Sequence, residues 1–167
     1  GKLASVSIPN SVSNIGEYAF NECGKLASVS IPDSVSNIGQ YAFHQCSSLT
    51  GTLTIPSGIT RINEHAFSEC GITGLTLPSG IQSIGDYAFN SCGSLAAVTI
   101  PDSVTEIGTA AFRSCQLTEI TIPRSVRSLG EHAFAGCFEL TTVNLPDSIT
   151  GIAEYLFADC DNLRSIT

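Results

Sequence analysis

Residues 23–46 read CGKLASVSIPDSVSNIGQYAFHQC, and the spacing of apolar residues in this one stretch decides the fold. Val29 and Ile31 alternate with Ser28 and Ser30, the period-two pattern of a strand with one buried face. Pro32 ends that strand, because its ring fixes φ and removes the backbone donor. Pro32, Asp33 and Ser34 then supply turn chemistry. Val35 and Ile38 send two further apolar groups inward. Tyr41, Ala42 and Phe43 return the chain along an outer wall, expected as one helical or 3₁₀ turn. A single coil of this kind cannot bury Leu26, Val29, Ile31, Val35, Ile38, Ala42, Phe43 and Cys46 by itself, whereas stacked coils share one continuous core.

The same stretch recurs along the whole chain. Residues 1–23 differ from 24–46 at only four positions, and further copies run over 47–70, 71–92, 93–115, 116–137 and 138–160, with a partial eighth over 161–167. All seven Cys, all seven Pro and seven of the eight Phe fall at one fixed place in their repeat. Self-similarity at a period of 22 to 24 residues is the signature of a solenoid. The expectation is a single domain over 1–167, on the order of 35 Å long at a strand spacing near 4.8 Å. Neither end carries a recognisable capping repeat, and Gly1 stands where a Met would begin a complete chain, so the expected setting is a stretch of a longer array. Coil 3 has a one-residue insertion at Thr50, Gly51 and Thr52, and a shorter coil follows it.

Composition agrees with a packed domain, since 43% of the 167 residues are hydrophobic and 13% are charged. No apolar run is long enough to cross a bilayer, and residues 1–9 do not resemble a signal peptide. A net charge of −8 with seven scattered Lys and Arg argues against nucleic acid, whose phosphates demand clustered cations.

The pattern Cys-x-x-Leu-x-x-Val-x-Ile-Pro-x-Ser-Val-x-x-Ile-Gly-x-x-Ala-Phe-x-x-Cys, read from Cys23 to Cys46, resembles the BspA-like, or treponemal, class of leucine-rich repeats. The resemblance covers essentially the whole chain. It implies a right-handed, curved superhelix, mainly β, with a parallel sheet on its concave side. It also implies a surface or secreted protein of bacteria or protists that adheres to host proteins or other cells.

Positions read down successive coils form columns. The Cys column (Cys23, Cys46, Cys70, Cys92, Cys115, Cys137, Cys160) has no Cys-x-x-Cys spacing and one thiol per coil, which favours a buried ladder over metal ligands or disulfides. The Phe column is expected as a buried spine beside it. In the column Tyr18, Tyr41, His65, Tyr87, Ala110, His132 and Tyr155, the interchange of Tyr with His reads as a half-buried ring with a wet edge. His44 reads as a lone outer-wall residue. Glu17, Gln40, Glu64, Asp86, Thr109, Glu131 and Glu154 read as groups splayed into water rather than cation ligands. Repeated identical groups do not make a convergent set of unlike ones, and no Ser/His/Asp arrangement can be assembled. The expectation is no enzyme, with no catalytic, metal or cofactor-binding residues, no cofactor and no small-molecule substrate.

The outward strand positions, Ser5/Ser7, Ser28/Ser30, Thr52/Thr54, Gly74/Thr76, Ala97/Thr99, Glu119/Thr121, Thr142/Asn144 and Ser165/Thr167, are small and hydroxyl-rich. They lack the Trp, Tyr and Arg that anchor tight interfaces. Departures from this background cluster toward the C-terminal end, so Glu119, Thr121, Arg124, Arg127, Asn144 and Arg164 are the candidate protein-binding residues. Arg124, between Asp102 and Asp147 in its column, is expected to bridge coils as an exposed ion pair. The leading functional expectation is a non-enzymatic protein-binding module of a surface or secreted adhesin. A structural scaffold or bridging subunit of a large assembly is the alternative, and an ice-binding surface a remote one, because Gly74, Ala97, Glu119 and Asn144 interrupt the Thr ladder.

Overall fold

A computed structural model describes residues 2–167, so Gly1, which opens the first repeat, lies outside the described residues. The chain winds as a parallel solenoid with two ladders of short strands. The first ladder holds β1 (Ser5–Ser7), β3 (Ser28–Ser30), β5 (Thr52–Thr54), β7 (Gly74–Thr76), β10 (Glu119–Thr121), β12 (Thr142–Asn144) and β13 (Ser165–Ile166). All its pairings are parallel and join equivalent repeat positions, as in Val6 to Val29 and Ile120 to Val143. Coil 5 joins through a single bridge between Leu75 and Val98. The second ladder holds β2 (Asn14–Ile15), β4 (Asn37–Ile38), β6 (Arg61–Ile62), β8 (Ser83–Ile84), β9 (Glu106–Ile107) and β11 (Ser128–Leu129). In Val-x-x-Ile both apolar groups point inward, and the Ile and the residue just before it also pair along the axis.

The outer wall contains neither an α-helix nor a 3₁₀ helix among the described residues. Two positions in each of the seven full coils lie in the left-handed region, for example Tyr41 (φ 56°) with Gln45 (φ 57°) and His65 (φ 53°) with Glu69 (φ 60°). Each such residue costs about 1–2 kcal/mol when it is not Gly. The rotation alternates the direction of the backbone donors. Ala19, Asn21 and Cys23 bond back to carbonyls three residues earlier, whereas Tyr18, Phe20 and Glu22 donate to Gln40, Ala42 and His44 of the next coil at 3.0, 2.7 and 2.8 Å. A helix would direct its bonds inward along its own axis and leave the coils unlinked on this wall. Stacking therefore favours turns over the expected helical element.

Between the walls lies one core. Phe43, Phe67, Phe89, Phe112 and Phe134 are fully buried, and the terminal Phe20 and Phe157 are half-buried with a neighbouring coil on one side only. Their rings stack with centroids 5.0 to 5.9 Å apart. Coils approach so closely at the Ile-Gly step that a Cβ on Gly39 would stand 2.5 Å from the Glu17 amide nitrogen. Asn63 occupies the same column in coil 3 and donates through Nδ2 to the Ile38 carbonyl at 2.6 Å. At the insertion, Gly51 adopts φ 81° and its carbonyl accepts from Thr73 at 3.0 Å, which returns the chain to register.

Candidate protein-binding face

The first ladder presents its alternate residues to solvent. Ser5, Ser7, Ser28, Ser30, Thr52, Thr54, Thr76, Thr99 and Thr121 are exposed, while the Val, Leu or Ile between each pair is buried or half-buried. At the C-terminal end the hydroxyls become a connected row. Asn144 donates through Nδ2 to Thr121 Oγ1 at 3.0 Å and accepts at Oδ1 from Thr167 Oγ1 at 2.7 Å. A side chain tied on both sides has lost rotamer freedom before any partner arrives, which lowers the entropic cost of binding.

Beside this row the Pro turns form a rim. One notch of about 260 Å³ is lined by Thr99, Asp102, Glu119 and Thr121, among others, and the next, of about 420 Å³, by Asp102, Thr121, Arg124, Asn144 and Asp147. Four of the six candidate residues, Glu119, Thr121, Arg124 and Asn144, thus border one groove. Arg127 lies beyond the turn, where its amide donates to Thr105 at 2.9 Å ahead of β11. Arg164 precedes β13, its amide bonded to Thr141 at 3.0 Å, and lines neither notch. Asp102, Asp147 and Thr99 were not among the candidates. The signal for Asp102 and Asp147 in the sequence is their place beside Arg124 in one column, and for Thr99 its outward strand position.

Those ion pairs do not form. Among the described residues no carboxylate lies within 4.0 Å of Arg124, whereas His65 Nε2 does reach Glu64 Oε1 at 4.0 Å. An exposed pair gains little Coulomb energy in water and loses side-chain entropy, and Arg124, Asp102 and Asp147 are all exposed.

The outer wall is chemically different. Tyr18, Tyr41, His65 and Tyr87 stack with centroids 4.9, 4.5 and 4.6 Å apart, and His132 stacks on Tyr155 at 4.8 Å. Ala110 is buried between the two stacks. His44 is not the lone residue expected. Its ring stands edge-on to Tyr41 and His65, and its Nδ1 lies 3.2 Å from the hydroxyl of the buried Ser68. Burial holds the His65 imidazole below the ordinary His range, with the Glu64 carboxylate opposing that shift. Asp86 Oδ1 accepts from the Thr109 amide at 2.7 Å, so this acid serves the outer turn.

Down the middle, each thiol from Cys46 to Cys160 donates to the carbonyl of a Phe in the preceding coil at 3.1 to 3.3 Å. Burial pushes the Cys92 and Cys137 thiols up to about 12 and raises Cys115 as well. A proton that stays on sulfur at neutral pH makes these poor nucleophiles. Among the described residues no three His, Cys, Asp or Glu side chains converge as a metal-holding group, and no helix is long and apolar enough to cross a membrane.

The coil geometry has close relatives among solved structures. A leucine-rich repeat protein from Bacteroides ovatus is 33% identical with a TM-score of 0.69, over 97% of this chain and 39% of that one. The T. pallidum leucine-rich repeat protein is 30% identical with a TM-score of 0.72, over 99% and 70%. A leucine rich cell surface protein from Faecalibacterium prausnitzii is 28% identical with a TM-score of 0.67, over 99% and 63%. The chain therefore spans well under half of the Bacteroides protein and about two thirds of the other two. No curated protein matches it. A family model described as the BspA type leucine-rich repeat region, in six copies, matches residues 1–95 and 82–167. The chain belongs to the BspA-type leucine-rich-repeat family, and its solenoid is the right-handed, curved form with the first ladder as the parallel concave sheet.

Proposed function

We propose that this chain is a non-enzymatic protein-binding stretch of a cell-surface or secreted adhesin, and that it binds through the C-terminal half of the concave sheet. The carrying observation is the prearranged row Thr121, Asn144 and Thr167 beside a groove rimmed by exposed charges. Solenoids of this kind expose extended surfaces whose side chains vary while the core repeats. The cell-surface description of the Faecalibacterium protein supports the location. The hydroxyl background supplies hydrogen bonding without large anchors, so affinity is spread over several coils.

Site-directed photo-cross-linking tests this directly. A benzophenone side chain at Thr121 and one at Glu131, on the outer wall, are compared after incubation with extracellular-matrix and host-surface protein extracts. A discrete protein adduct from position 121 and none from 131 is the expected result. Adducts from position 131 alone would move recognition to the outer wall.

A further inference from the structure

The rim of the concave groove carries a charge order. Down the turn column the residues are Asn10, Asp33, Ser57, Ser79, Asp102, Arg124 and Asp147, so coils 5, 6 and 7 present acid, base, acid. Asp102, Arg124 and Asp147 are all exposed and line the same notch. Each sits on a turn closed by a backbone bond: Val104 to Pro101 at 3.0 Å, Val126 to Pro123 at 3.1 Å and Ile149 to Pro146 at 3.0 Å. The backbone under each charge is therefore fixed. With strands about 4.8 Å apart, the two acids stand roughly 10 Å apart with the guanidinium between them. Although the signs alternate, no carboxylate lies within 4.0 Å of Arg124 among the described residues.

The geometry points to a docking groove for an extended polypeptide segment in which one carboxylate lies between two basic side chains, the inverse of the rim's order. This deepens the protein-binding reading of the same face and rests on it. In such a segment every second side chain faces the groove at about 6.7 Å spacing, so two bases flanking an acid at i−2 and i+2 stand about 13 Å apart. Their flexible stems bend inward by about 2 Å each to reach Asp102 and Asp147, while the central acid meets Arg124 as a planar, bidentate partner. Thr121 and Asn144 on the floor offer hydroxyl and amide groups to the segment's backbone. A uniformly basic segment would set a cation against Arg124. A phosphodiester chain would meet Asp102, Glu119 and Asp147. Charge complementarity thus selects both the class of partner and its pattern.

The test uses the full chain labelled with nitrogen-15 and two capped pentapeptides, Lys-Gly-Asp-Gly-Lys and its inverse Glu-Gly-Arg-Gly-Glu. The first is expected to shift the Thr121 and Asn144 amides and to bind about tenfold more tightly than the second at low salt, three weak exposed pairs acting together. The preference should fade at high salt. Arg124→Glu alone should shrink it to about twofold, since the pairs at Asp102 and Asp147 keep their sense and only the central one inverts, and the triple change Asp102→Lys, Arg124→Glu, Asp147→Lys should reverse it, an outcome that misfolding cannot imitate. Equal binding of both peptides, no binding of either, or an unreversed preference in the folded triple variant would each overturn the proposal. Cross-linking from position 121 reports the broader reading independently: adducts there, with no peptide preference, sink the charge pattern alone.

Discussion

The Cys92 thiol donates to the Phe67 carbonyl of the preceding coil at 3.2 Å, and in the corresponding contacts at Phe20, Phe43, Phe89 and Phe134 the carbonyl accepts both the next coil's thiol and the Cys amide of its own coil. The relationship repeats from Cys46 to Cys160 and couples the two buried columns, thiol and ring, into one ladder.

That coupling governs thiol chemistry. With Cys92 and Cys137 held near 12, native labelling by a disulfide reagent at pH 8 should be slow for these two and should become fast on unfolding. Both folded values lie above the ordinary 9.0, so their contribution to stability is complete below pH 9 and is lost as pH rises from 9 toward 12. Rapid native labelling of Cys92, tracked by mass spectrometry of its peptide, would contradict the ladder.

Phe89 has a stacked ring on both sides, at 5.7 Å from Phe67 and 5.4 Å from Phe112, whereas Phe157 has one, Phe134. Phe89→Ala should cost about 3–5 kcal/mol in urea unfolding, as a buried large-to-small change does. Phe157→Ala should cost visibly less, because its half-exposed ring vacates a site that water already reaches. Equal losses at the two positions would count against a core shared along the axis.

Gly108 tests the closeness of the coils. A Cβ there would stand 2.7 Å from the Asp86 amide nitrogen and 2.8 Å from the Gly85 carbonyl carbon, both backbone atoms that cannot swing aside. Gly108→Ala should therefore destabilise by about 1–3 kcal/mol. Gly80→Ala, which meets nothing within 4 Å, is the control and should be close to neutral in the same thermal melt.

His65 gives the outer wall a pH dependence. Its folded pKa is depressed from 6.5 by burial between Tyr41 and Tyr87, with Glu64 and Asp86 opposing and His44 adding to the shift. A depressed value means stability that is present above pH 6.5 and is lost as pH falls through the folded pKa. His65→Tyr keeps the ring stack and removes the titration, so the loss in Tm between pH 7 and pH 5 should be smaller in the variant than in the parent. An unchanged pH profile would remove His65 from the account.

The sequence alone determined the period, the strand around Val29, the Pro turn, and the inward Phe and Cys columns, because burial in a repeat depends on residue type at a fixed spacing. Tertiary structure decided what depends on the next coil. Tyr41 and Gln45 read as part of a helical turn until the carbonyls of Glu64 and Ser68 in the next coil take their amides at 3.1 and 2.9 Å, which makes positive φ the cheaper choice. Asn37 carries no strand signal in its own coil, and it pairs with Asn14 of the preceding one. Arg124 reads as paired from its column, yet water competes successfully for an exposed guanidinium. Local spacing encodes which groups are buried; the partners of exposed and backbone groups are set by a coil 22 to 24 residues away, which no local pattern specifies.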